Sequence, residues 1–307
     1  MTIEARRIHR RLSALAVRAA LVGGIGLAGA AGATSHVALP HVHGLAYDAS
    51  GTKLYAAVHD GLAVYSEGRW SLGPGPRHDY MGFAGTRKFF FTSGHPAPGT
   101  RLVNPLGLMQ STDGGETWVR RGLEGESDFH LLAAGFETDA IYVHNPAPNS
   151  RMKEAGIHHT LNQGLSWRRA AAAGLEGKLH ALAAHPTDAG TVAASTDAGL
   201  YLSRDHGARF EPVASGAQAL GLRFDVDGKH LWFGSFGGAA TLQRISLDGA
   251  RREDAALPQL GRDAVAHIAQ NPARPDEIAI ATFERRVFVS RDRGKTWKEI
   301  AAGGRPK

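Results

Sequence analysis

One octapeptide returns along the chain at a nearly constant interval. Ser111 to Trp118 reads STDGGETW and Ser290 to Trp297 reads SRDRGKTW, both of the form S-x-D-x-G-x-T-W. Weaker copies stand between them, TLNQGLSW from Thr160 and SRDHGARF from Ser203, with a short form SEGRW from Ser66 and a decayed SLDG from Ser246. The anchors Ser66, Ser111, Thr160, Ser203, Ser246 and Ser290 lie 45, 49, 43, 43 and 44 residues apart. A fixed period of this length marks a repeat architecture, in which each unit buries its apolar face against its neighbours.

The grammar inside each period identifies the unit. An alternating apolar run (HGLAYD, LHALAAHP, AHIAQNP) leads to a second (KLYAAVH, AIYVHN, LWFGSF, EIAIATF). A third (LAVYS, LYLS, VFVS) feeds the motif, and a Trp- or Phe-led segment follows it. Four short strands per repeat describe a β-propeller blade, and no helical period is sustained after residue 37. The fold class expected is all-β, a six-bladed propeller with seven blades as the alternative. Six blades of roughly 45 residues need about 270, and residues 34–307 number 274.

The first 33 residues do not fit that grammar. Arg6, Arg7, Arg10, Arg11 and Arg18 precede a small-apolar run from Ala19 to Ala33 that ends Ala31-Gly32-Ala33. A basic start, a short apolar run and a small-x-small end describe a cleaved export signal, and the run is short for a permanent membrane span. The expectation is an export signal at 1–33, a single propeller domain at 34–307, and a periplasmic or secreted monomer. Removing 1–33 takes away five Arg and one Glu, so the net charge falls from +6 to +2. With that, the electrostatic case for nucleic acid disappears. The chain has no Cys, which excludes disulfides, thiolate metal sites and a cysteine nucleophile.

The repeated octapeptide resembles the motif of the Asp-box, or BNR-repeat, propellers, a group that includes sialidases, the sortilin luminal domain and a photosystem II assembly factor. The resemblance extends over about residues 37–300. The segments RHDYMGF, SGHPAPG, NPLGL, GLEGESDFH and NPAPNSRM are similar to an exported bacterial branch labelled glycosyl-hydrolase-like. In resembling proteins the boxes lie at the blade periphery. Here Gly115 and Gly294 suit the positive φ of a tight turn, Asp113 and Asp292 suit acceptors of its N–H groups, and Trp118 and Trp297 suit packing between blades.

Chemistry is expected at one mouth of the central channel. Taking Leu45, Met81, Leu132, Leu182, Leu222 and Ile268 as equivalent, the residues two before them are His43, Asp79, His130, His180, Leu220 and Ala266. Four before them stand His41, Arg77, Asp128, Lys178, Gln218 and Ala264. The ends of the second strands add His59, His95 and His144. A metal site drawn from His41, His43, His59, Asp79, His95, His130, His144 and His180 suits zinc or copper. The alternatives are a glycosidase using Asp79 and Asp128 as paired carboxylates, and an assembly or scaffold protein. The partner expected is a metal ion, a small carbohydrate or a protein. A sialidase is disfavoured, because Arg77 is the only axial arginine this alignment finds.

Overall fold

The computed structural model describes residues 37–307; the segment read as an export signal lies outside the described residues. Six antiparallel sheets follow one another along the chain, each built from one contiguous stretch and each with its strands in sequential order. The innermost strands are Gly44–Tyr47, Asp79–Gly85, Leu132–Ala134, Leu179–Ala184, Gln218–Phe224 and Val265–Gln270. Each contacts the next, and Val265–Gln270 contacts Gly44–Tyr47, so the ring closes. Six blades are therefore present. Five have four strands, and the sixth gains a fifth, Arg305–Pro306, paired with Lys298–Ala302. No helix of the described residues is long and apolar enough to cross a membrane.

The core is divided among the six blade interfaces. One cluster joins Leu45, Tyr47, Leu54 and Trp70 of blade 1 to Ala269, Ala279, Val287 and Ile300 of blade 6. The other five lie between blades 1 and 2, 2 and 3, 3 and 4, 4 and 5, and 5 and 6. This explains why the strands read as apolar runs: both faces of each sheet are covered by a neighbouring sheet. At the closing seam the Leu39 N–H donates to the Gly304 carbonyl at 2.8 Å, and the Trp70 indole N–H donates to the Ile300 carbonyl at 2.9 Å.

The boxes are the turns that join third and fourth strands. In the last copy the Gly294 N–H donates to Ser290 Oγ (2.7 Å), whose hydroxyl donates to Asp292 Oδ1 (2.8 Å). Asp292 also accepts from the Thr296 N–H at 2.8 Å and the Thr296 hydroxyl at 2.6 Å. Ser111, Asp113, Gly115 and Thr117 repeat the pattern. Where Asn162 replaces Asp, its Oδ1 accepts from Ser166 N at 3.0 Å and its Nδ2 donates to the Ser166 hydroxyl at 2.9 Å. Gly115 has φ 90°, and a Cβ there would come within 2.4 Å of Leu62 on the preceding blade. The residue before each box glycine is left-handed as well: Gly114, Gln163, His206 and Arg293 have φ between 57° and 76°. Sequence reasoning missed that second position, because only one copy places glycine there. The motif's aromatic residues, Trp118, Trp167, Phe210 and Trp297, each pack into the interface with the blade before.

Two predictions follow from this packing. Trp70→Ala should cost about 3–5 kcal/mol, whereas Trp70→Phe, which keeps most of the volume and leaves the Ile300 carbonyl bonded to the Lys307 N–H, should cost only about 0.5–1.5 kcal/mol, both read by denaturant unfolding. Asp292 is held down to about 2 by the Thr296 hydroxyl, then the Thr296 N–H and Ser290. Partial desolvation pushes Asp113 up, but its Thr117 and Ser111 hydrogen bonds outweigh that and also leave it at about 2. Depressed carboxylates contribute stability that is present above their unfolded pKa and lost as pH falls through the folded one. Thermal stability should therefore drop between about pH 4 and pH 2. The drop should be smaller in Asp113→Asn/Asp292→Asn, which can adopt the bonding of Asn162.

Candidate functional site

The eight residues expected at the histidine mouth separate into groups. His41 and His43 precede the innermost strand of blade 1, and His59 follows its second strand, Leu54–Val58. The His43 N–H donates to the Ala57 carbonyl at 2.9 Å, which pins it beside the strand pair. His41 Nδ1 lies 2.7 Å from His59 Nε2, and His43 Nε2 lies 3.4 Å from the same nitrogen. One nitrogen from each of the three rings falls within 4.8 Å of the other two, the only such group of His and acidic side chains among the described residues.

Asp79, from blade 2, fixes the orientation of this triad. Its Oδ1 lies 2.7 Å from His59 Nδ1. An ionised carboxylate only accepts, so Nδ1 carries the proton, and in the neutral tautomer Nε2 presents its lone pair to His41 and His43. The short His41–His59 contact is then a hydrogen bond donated by His41 Nδ1. Burial, then the neighbouring His59, pulls His43 down to about 4, so that ring is neutral at physiological pH. His267 joins the periphery of the group; burial holds it at about 4 while it donates to the Val42 carbonyl.

A second group lies on blades 2 and 3. Asp128 Oδ2 is 2.7 Å from His130 Nε2 and 3.3 Å from His95 Nε2. His95 Nδ1 in turn meets Asn104 Oδ1 at 2.7 Å. Asp128 Oδ1 is buried with no partner. The hydrogen bond that His130 donates to Asp128 raises the His130 pKa against the opposing effect of burial. Asp79 and His95 are direct cross-strand partners, which sets the two groups side by side. Both carboxylates proposed as a catalytic pair are therefore bonded to imidazoles.

His144 and His180 stand apart. His144 pairs with Ile157 on the third strand and lies near His158, and burial lowers its pKa. It is two positions short of the place His59 and His95 occupy, since Ala56, Thr92 and Val143 are the corresponding partners of Leu45, Phe83 and Leu132. His180 Nε2 faces Gln218 Nε2 at 3.1 Å, and burial lowers its pKa.

Two alignments made from sequence need correction. The cross-strand register makes Phe83, rather than Met81, the counterpart of Leu45, since Phe83 pairs with Thr92 as Leu45 pairs with Ala56. Met81 and Phe83 are both apolar and two residues apart, so the period-2 alternation alone does not separate them. The axial arginine is Arg223, which lines the channel; Arg77 donates instead to the Asp60 carbonyl at 3.2 Å. The cavity along the axis has a volume of about 320 Å³ and runs from His43, His130, His180 and His267 at the strand starts to Arg87, Glu137, Thr187 and Pro272 beyond the strand ends.

Replacing Asp128 by Asn should move the His130 titration to lower pH, because the raising partner is lost while the burial remains. Imidazole NMR signals followed from pH 4 to 9 would show it, and an unmoved titration would contradict the assignment of Asp128 as the cause.

Comparison with known proteins agrees with this architecture. The BNR/Asp-box repeat family matches residues 288–299, the last of the boxes. No curated protein matches the chain in sequence. Among solved structures it is similar to the GH74 xyloglucanase from Xanthomonas campestris, at 17% identity over 88% of this chain and 46% of that one, TM-score 0.56. It is also similar to YCF48 bound to D1 peptide, at 18% identity over 87% and 83%, TM-score 0.50. A third is the extracellular domain of a hybrid two component system from B. thetaiotaomicron, at 11% identity over 87% and 34%, TM-score 0.52. The chain spans less than half the length of the xyloglucanase it matches. At these identities the likeness is one of fold: the closed ring of six sheets is a six-bladed β-propeller, and the last of its box turns matches the BNR/Asp-box repeat.

Proposed function

We propose that this protein is an exported propeller that binds a divalent transition-metal ion on His41, His43 and His59. The observation that carries the reading is the convergence of three ring nitrogens, with separations of 2.7 and 3.4 Å to His59 Nε2. Imidazoles bound tetrahedrally at 2.0–2.1 Å place their nitrogens about 3.3 Å apart, so little movement is needed to admit the ion. Binding would displace the proton shared by His41 and His59. Asp79 would be the outer carboxylate that orients a ligating histidine and raises its basicity. Three nitrogens leave a fourth position open, which suits Zn²⁺ or Cu²⁺ and an exchangeable water or ligand. Export is supported by the basic and small-apolar start of the chain and by the extracellular origin of a structural neighbour.

The paired-carboxylate reading is less favoured, because Asp79 and Asp128 both serve imidazoles at 2.7 Å. The test is calorimetric titration of the untagged full chain with Zn²⁺ and Cu²⁺. One equivalent should bind, His41→Ala and His59→Ala should each abolish binding, and Asp79→Asn should weaken it by about 10–100-fold. No binding of either metal, or equal binding by the His41→Ala/His43→Ala/His59→Ala variant, would overturn the reading.

A further inference from the structure

At the other end of the same channel, and independently of the metal reading, the structure holds a cation with no counter-charge. Arg223 lies near the end of blade 5's innermost strand, in the wall of the axial cavity. Its Nε is buried without a hydrogen-bond partner. No charged neighbour offsets the desolvation that pulls its pKa below the usual value. The other arginine lining the cavity, Arg87, is already taken by Glu137, with Nε at 2.6 Å from the carboxylate. The carboxylate two residues along, Asp225, is taken by Arg244 at 2.6 Å and by the Trp232 indole.

The repeat shows how unusual this side chain is. The residue after each ring position (Leu45, Phe83, Leu132, Leu182, Leu222 and Ile268) is Ala46, Ala84, Ala133, Ala183, Arg223 and Ala269. The five alanines are 0–7% exposed. Five blades thus fill this register with the smallest apolar side chain, and one fills it with an unpaired guanidinium. Arg223 is partly exposed with its Nε buried, and even partial desolvation of an unpaired charge is costly, so a position free to be Ala should not retain it for packing.

We propose that the axial channel is a binding site for a small organic carboxylate, held by Arg223 through charge-assisted hydrogen bonds. A guanidinium offers the planar fork that matches a carboxylate. Among the described residues lining the cavity it is the arginine without a partner, which matches one negative charge better than the two of phosphate. The walls on either side are apolar, Leu222 beside it, Leu182 and Ile268 on the two adjacent blades and Phe83 and Leu132 farther round the ring, so the ligand's remainder should be hydrocarbon. Entry is by the mouth lined by Thr187, Val226 and Pro272, away from the histidines.

The experiment titrates the full chain with benzoate, benzyl alcohol and inorganic phosphate, reading heat and the melting temperature. Benzoate should bind and raise the melting temperature, and benzyl alcohol should do neither. Arg223→Gln should weaken benzoate binding at least about tenfold. Arg223→Ala, which completes the alanine ring, should melt higher than the parent chain without ligand. Benzoate binding should persist in His41→Ala/His59→Ala, which separates this site from any metal-held carboxylate. Failure of benzoate to bind, equal binding by Arg223→Gln, loss of binding in the histidine variant, or phosphate binding tighter than benzoate would each overturn the proposal.

Discussion

The stacking of each sheet on the next is the interaction on which everything else in this molecule depends. No blade has a core of its own: Leu45 and Tyr47 bury against blade 6, while Ala46 on the opposite face of the same strand buries against blade 2. A twisted four-stranded sheet with both faces apolar cannot stand alone in water, so stability comes from completing the ring. The convergence of innermost strands at the axis also sets residue size there. A Cβ at Gly44 would come within 2.8 Å of Phe83, and one at Gly82 within 2.2 Å of the Phe129 carbonyl. Small residues near the axis are thus imposed by the approach of neighbouring backbones, which is the background against which a large axial side chain stands out.

The boxes serve that stacking from outside. Their glycines touch the preceding blade and their aromatics fill the same interfaces, so each motif is both a turn and a wedge. The carboxylate is satisfied within the turn, by the serine hydroxyl and by the threonine four residues on. That leaves little at the box for a ligand, and it locates the distinctive chemistry of the chain on the axis instead.

Much of this was legible in the sequence because a repeat supplies its own alignment. Spacing alone indicated six blades and the interface role of Trp118 and Trp297, and it placed His41, His43, His59 and Asp79 in a wider set of eight residues without separating them from His95, His130, His144 and His180. The errors share one physical origin, local register. Period-2 alternation put Met81 at the ring position in place of Phe83, two residues on, and the assumption that second strands end alike put His144 level with His59 and His95. Arg223 is not marked by the polarity of the strand starts, because it stands near the far end of an otherwise mostly apolar strand. Its signal was nonetheless present: the stretches GLAY, GFAG, LLAA, ALAA and HIAQ keep alanine third, and GLRF does not.

The two ends of the channel differ in the way they handle charge. At the strand starts, carboxylates and imidazoles are matched: Asp79 with His59, Asp128 with His130 and His95. Neutral rings with their protons fixed by acceptors are lone-pair donors, which is the condition for binding a cation. Toward the strand ends the matching stops at Arg223, where a positive charge is left for something outside the protein to neutralise. A six-fold scaffold of near-identical blades gives every strand the same approach to the axis, so polarity along that axis must come from departures in single blades. Blade 1 makes its departure at one mouth with three histidines, and blade 5 makes its departure deeper in with one arginine. The remaining ring positions are filled by apolar and small side chains, which keep the two sites in one fixed frame.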